Sequence, residues 1–79
     1  MMTDMPKLEL VNISDAATQC IAEGYVANHN LDTPDAPVVD LAIDVVRYAL
    51  SYGMQEGMTL AQSASIALAD IYPHCINLF

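Results

Sequence analysis

Basic side chains are nearly missing from this chain: Lys7 and Arg47 stand against ten carboxylates, for a formal net charge of −8. Affinity for phosphates comes from neutralising them with Lys and Arg, so direct binding to nucleic acid is excluded. An anionic membrane surface is excluded on the same ground. Glycine is scarce, with three residues in the chain, and none forms a phosphate-cradling loop. No apolar run escapes interruption by charge for long enough to span a bilayer. The first nine residues carry acids and Pro6 and lack the apolar stretch of a signal peptide, which predicts a cytoplasmic protein. Cysteine is limited to Cys20 and Cys75, too few and too far apart to suggest a disulfide framework, and both are expected reduced and buried. A nucleophile paired with a base is missing too, so no enzymatic activity and no cofactor are expected.

What is present is apolar. Hydrophobic residues make up 54% of the 79, which corresponds to a single domain over 1–79 with a loose lead at 1–6. So short a chain builds a small core of marginal stability. Surplus apolar surface then has a natural home in an oligomer interface or a partner's groove, and a homodimer through the helices is expected.

The stretch from Pro37 to about Met54 organises the rest. Its polar residues Asp40, Asp44, Arg47, Ser51 and Gln55 recur at helical steps and fall on one narrow stripe. A helix with so thin a polar face requires cover over most of its circumference, so it belongs at the centre. Before it, Lys7–Ile13 suits a short strand or extended arm. Ser14 caps a helix over about Asp15–Asn28 that turns Ala17, Cys20, Ile21, Gly24, Ala27 and Leu31 to one face. Breakers fill residues 28–36, where Thr33 or Asp35 can cap the central helix. Gly57 stops that helix, and Thr59 with Gln62 forms a capping box opening a third helix that Pro73 closes. Leu60, Ala64, Ala67, Leu68 and Ile71 are its inward face. The C-terminal residues Ile76, Leu78 and Phe79 are too apolar to hang in water, and they are expected to dock, for instance as a strand beside residues 8–13. The predicted fold is therefore all-α: three helices at about 15–29, 36–54 and 60–72, with extended termini able to pair.

Few side chains invite chemistry. Cys20, His29, His74 and Cys75 supply the ligand inventory of a structural zinc site, but their spacing does not match its chelating loops, and no metal is expected. Asp40 and Asp44 lie one helical turn apart; Arg47 can neutralise the second, which makes them a solvated stripe. Tyr25, Tyr48, Tyr52 and Tyr72 suit the edge of a core.

Three classes of function remain: a protein-binding inhibitor, a structural or assembly subunit acting through a hydrophobic interface, and a small-ligand carrier, for which the chain has little volume. Asp32, Asp35, Asp40 and Asp44 fall within thirteen residues that hold no basic side chain, and this acidic set is the expected contact with a basic partner. In length, acidity and lack of a catalytic motif, the chain resembles the small phage-borne inhibitors of host defence, such as anti-CRISPR proteins. The resemblance implies an inhibitor of a basic, nucleic-acid-handling complex such as a CRISPR effector, and carries no residue roles. Dense imitation of DNA by the central helix is excluded: its length of about 27 Å matches roughly 16 duplex charges, against Asp40 and Asp44.

Overall fold

The computed structural model describes residues 9–29 and 36–79. They form three α-helices, α1 (Asp15–Asn28), α2 (Ala36–Gln55) and α3 (Leu60–Ala67), followed by a 3₁₀ helix over Pro73–Leu78. α2 packs against both α1 and α3, and the 3₁₀ helix closes the end between those two. The expected all-α fold with a central α2 is what the chain adopts.

The helix boundaries follow from local chemistry. The Ser14 hydroxyl accepts the Ala17 amide at 3.1 Å, with Asp15 in the first turn where the helix dipole favours an acid. At α3 the capping box is complete: the Thr59 hydroxyl accepts from the Gln62 amide at 3.1 Å, and the Gln62 side chain accepts from the Thr59 amide at 3.0 Å. α2 ends in a Schellman motif. The Met58 amide donates to the Gly53 carbonyl and the Gly57 amide to the Met54 carbonyl, with Gly57 at φ 104°, a conformation that disfavours any side chain.

The core gathers Ile21 from α1, Val46 and Leu50 from α2, Ala64 and Leu68 from and beside α3, then Tyr72 and Cys75. Two glycines let the elements approach. A Cβ on Gly24 would lie 2.7 Å from the Tyr72 ring, and one on Gly53 would lie 2.9 Å from the Ser63 Cβ. Ser63 is buried there and donates to the Leu50 carbonyl at 2.9 Å, so the α2–α3 contact combines bare backbone with a satisfied hydroxyl.

Three expectations are corrected. Among the described residues there is no strand. Glu9–Ser14 has no regular secondary structure, and its polar partners are side chains of α2: Arg47 Nε donates to the Val11 carbonyl at 2.8 Å, and Ser51 accepts the Val11 amide at 2.7 Å. With those groups satisfied by α2, the C-terminal segment docks as 3₁₀ turns rather than as a pairing strand. The third helix also stops early, at Ala67, and passes through turns to Pro73; Ile71, expected to face inward, is 47% exposed. Lastly, the polar stripe of α2 is not uniformly wet. Its C-terminal half, Arg47 and Ser51, lies beneath the N-terminal arm, and Ser51 is buried.

Two predictions follow from this packing. Gly53→Ala forces Ser63 away from α2 and destabilises the fold by about 1–3 kcal/mol, measured by thermal denaturation; a neutral or stabilising effect contradicts the close approach. Tyr72 is buried, and that burial, reinforced by Tyr25 nearby, raises its pKa above the ordinary 10.0. The folded chain holds this proton where the unfolded chain releases it, so stability is intact below pH 10.0 and falls as pH rises beyond it. Urea midpoints between about pH 9 and 11 should show this decline, and Tyr72→Phe should lessen it.

Candidate protein-interaction surface

The two faces of α2 that do not meet the core differ in chemistry. One carries Asp40, Asp44 and Arg47 over a shallow groove completed by Asn12, Ile13 and Thr18. Asp40 and Asp44 are both exposed. Arg47 reaches Asp44 at 3.2 Å while holding the carbonyls of Val11 and Leu10, at 2.8 and 3.4 Å. Its guanidinium is thus committed inside the fold, and a pair so exposed contributes little to stability by itself. Asp32 and Asp35, the other half of the expected acidic set, lie outside the described residues. The structure therefore brings Asp40 and Asp44 onto one face one turn apart.

The second face went unrecognised in the sequence. Val38, Leu41, Val45, Tyr48 and Tyr52 are all exposed, Leu41 by 63% and Val45 by 60%. They recur at steps of three, four, three and four, the spacing of a coiled-coil seam. By helical rotation this seam lies roughly 110° from the acidic stripe and about 140° from the core-facing side. The expectation that the chain covers most of α2 fails here, since α1 and α3 occupy a single side. Two apolar clefts flank the seam. One is lined by Tyr25, Val38, Leu41, Val45, Ile71 and Tyr72, the other by Tyr48, Tyr52, Met58 and Ile66 among others. The signal was legible as residues 38, 41, 45, 48 and 52, but a uniformly apolar arc hides which part of it a small chain leaves bare.

The cysteines correct another expectation. Cys20 and Cys75 form a disulfide, with their Cα atoms 5.9 Å apart and 55 residues between them in sequence. It ties the C-terminal 3₁₀ helix to α1. His74 joins them, its ring nitrogen and the two sulfurs lying within 4.8 Å of one another, a grouping that sequence spacing does not reveal. In the bonded form neither sulfur is a thiolate, which is the form a metal requires, so the three donors become available together only in a reduced chain. His29 lies apart from them, its ring 4.1 Å from that of Tyr25.

No helix of the described residues is long and apolar enough to cross a membrane. No family model matches the chain, and searches of curated proteins and of solved structures return no match.

The disulfide generates a direct test. Closing a loop of this length removes about 4 kcal/mol of freedom from the unfolded chain. Reductant, or the double change Cys20→Ser with Cys75→Ser, should lower the melting temperature by more than about 10 °C. An unchanged melting temperature means that the bond plays no part in holding the fold.

Proposed function

We propose that this chain is a non-enzymatic protein-binding inhibitor whose contact with a basic partner runs through Asp40 and Asp44 together with Asp32 and Asp35. The observation that carries the reading is electrostatic. Seven carboxylates of the described residues are exposed, from Glu9 to Asp70, and Arg47 is turned onto the backbone of the N-terminal arm. Such a field steers a basic surface toward the chain and repels an acidic one. A nucleic-acid-handling complex presents a basic surface of that kind, and the resemblance to anti-CRISPR proteins supplies the same class of target.

The disulfide favours a second reading on the place of action. Such bonds persist in oxidising compartments and are rare in a reducing cytosol. An interaction module working outside the cytosol fits Cys20–Cys75, whereas inhibition of a cytosolic complex requires the helices to hold with the bond open. Partner capture by the oxidised and the reduced chain separates the two: binding that survives reduction supports the cytosolic inhibitor, and binding lost with the fold supports the other compartment.

Charge reversal tests the contact itself. Asp32→Lys, Asp35→Lys and Asp40→Lys combined should leave the circular dichroism unchanged and slow association with the captured partner by about 10–100-fold at low salt, the difference fading as ionic strength rises. Partners retained without regard to salt or to these substitutions would sink the acidic-contact reading.

A further inference from the structure

We infer that the exposed seam of α2 is the interface of a homodimer in which two copies of α2 pack antiparallel across Val45. The inference is independent of the acidic-contact reading, because it uses the other free face of the same helix.

Three observations commit the seam to a second copy. First, its spacing is that of two helices packing against each other. Val38, Leu41, Val45, Tyr48 and Tyr52 form an unbroken run of alternating three- and four-residue steps, which places knobs against holes over four turns. The flanking Ala42 and Ala49 are small enough to let a second helix approach closely.

Second, the area is of the right order. Those five side chains, with Ile66 and Ile71 beside them, are each 38–66% exposed, which offers at most several hundred Å² per chain, on the scale of the ~800 Å² per partner of a standard stable interface.

Third, the seam complements itself in one direction. Its N-terminal half is aliphatic, Val38 and Leu41, and its C-terminal half aromatic, Tyr48 and Tyr52. An antiparallel pair centred on Val45 sets Tyr52 of each copy against Val38 of the other, and Tyr48 against Leu41. The tyrosine rings then enter the cleft of about 270 Å³ that Val38, Leu41, Val45 and Ile71 line. A parallel pair would stack tyrosine on tyrosine and leave both aliphatic clefts empty.

Net charge does not oppose this strongly. Glu56 is the acid closest to the seam, one turn beyond Tyr52 at its C-terminal end and bordering the second cleft; Asp44, four residues before Tyr48, shares its charge with Arg47 at 3.2 Å.

Sedimentation of the intact, oxidised chain at about 100 µM decides the assembly. The expected result is a species of twice 8.5 kDa; an 8.5 kDa monomer at that concentration overturns the inference, including the case in which the seam serves a foreign helix. Leu41→Asp with Val45→Asp should weaken the dimer by at least about 100-fold while leaving the circular dichroism unchanged, since both side chains are already exposed. A dimer that persists in this variant lies elsewhere on the chain and overturns the seam. For orientation, Val38→Cys and Tyr52→Cys chains are mixed and oxidised. Cross-linking between the two variants supports the antiparallel pair, and Val38→Cys linking to itself overturns it.

Discussion

A single constraint shapes this molecule: among the described residues, a 20-residue apolar helix has a 14-residue helix, an 8-residue helix, a short 3₁₀ helix and an N-terminal arm with which to cover it. Val39, Val46 and Leu50 are buried, and Gly53 lets α3 in close. Among the described residues, no element meets the opposite arc. Leu41, Val45, Tyr48 and Tyr52 therefore stay exposed, and it is on this stripe that the inferred dimer rests. The same shortage accounts for the close approaches, because helices separated by larger side chains than Gly24 and Gly53 would enclose a core this chain cannot fill.

Scarcity of cations sharpens the role of Arg47. It meets the carbonyls of Leu10 and Val11 and the carboxylate of Asp44, while Ser51 takes the Val11 amide and donates to the Arg47 carbonyl. An arm with no regular secondary structure needs partners for its backbone groups, and a helix has no free backbone donors along its length to offer. Two side chains at adjacent turns substitute for a neighbouring strand. That substitution fixes Val11 and Ile13 against the core and commits the one described guanidinium, half-buried, to the arm and to Asp44.

Much of this architecture was readable in local patterns. Ser14, the Thr59 and Gln62 box and Gly57 each act within a few residues of themselves, and each terminus they define is where the helix begins or ends. What escaped depends on contacts across the chain. The pairing of Cys20 with Cys75 is a fact about where α1 and the C-terminal turns meet, and a separation of 55 residues carries no trace of it. Ile71 follows the apolar period of α3, yet the helix has ended before it, so periodicity assigned it an inward face that the turn does not provide. On α2, periodicity located the apolar arc and could not apportion it between core and solvent, since residues 46 and 50 look no different from 41 and 45 until the neighbours are placed. The spacing of Asp40 and Asp44 reads as a solvated stripe, and both are exposed one turn apart.

The division of α2 into three arcs bears on how an acidic, apolar protein avoids working against itself. Charges and apolar side chains mixed on one face would weaken both functions: carboxylates must be desolvated when the face is covered, and apolar neighbours add nothing to long-range steering. Here the mean direction of the acids at 40 and 44 and that of the seam at 38, 41, 45, 48 and 52 diverge by about a quarter turn of the helix, with Asp44 on the border beside Leu41 and Tyr48. A second copy on the seam leaves the acidic stripe of each chain in solvent, and doubles it. The field of such an assembly would act on a basic partner mainly within a Debye length, about 8 Å at physiological salt, while the apolar contact would be satisfied within the pair. If both proposals hold, one helix would bind its own copy by area and a different partner by charge, because the two faces point in different directions and the two interactions act over different distances.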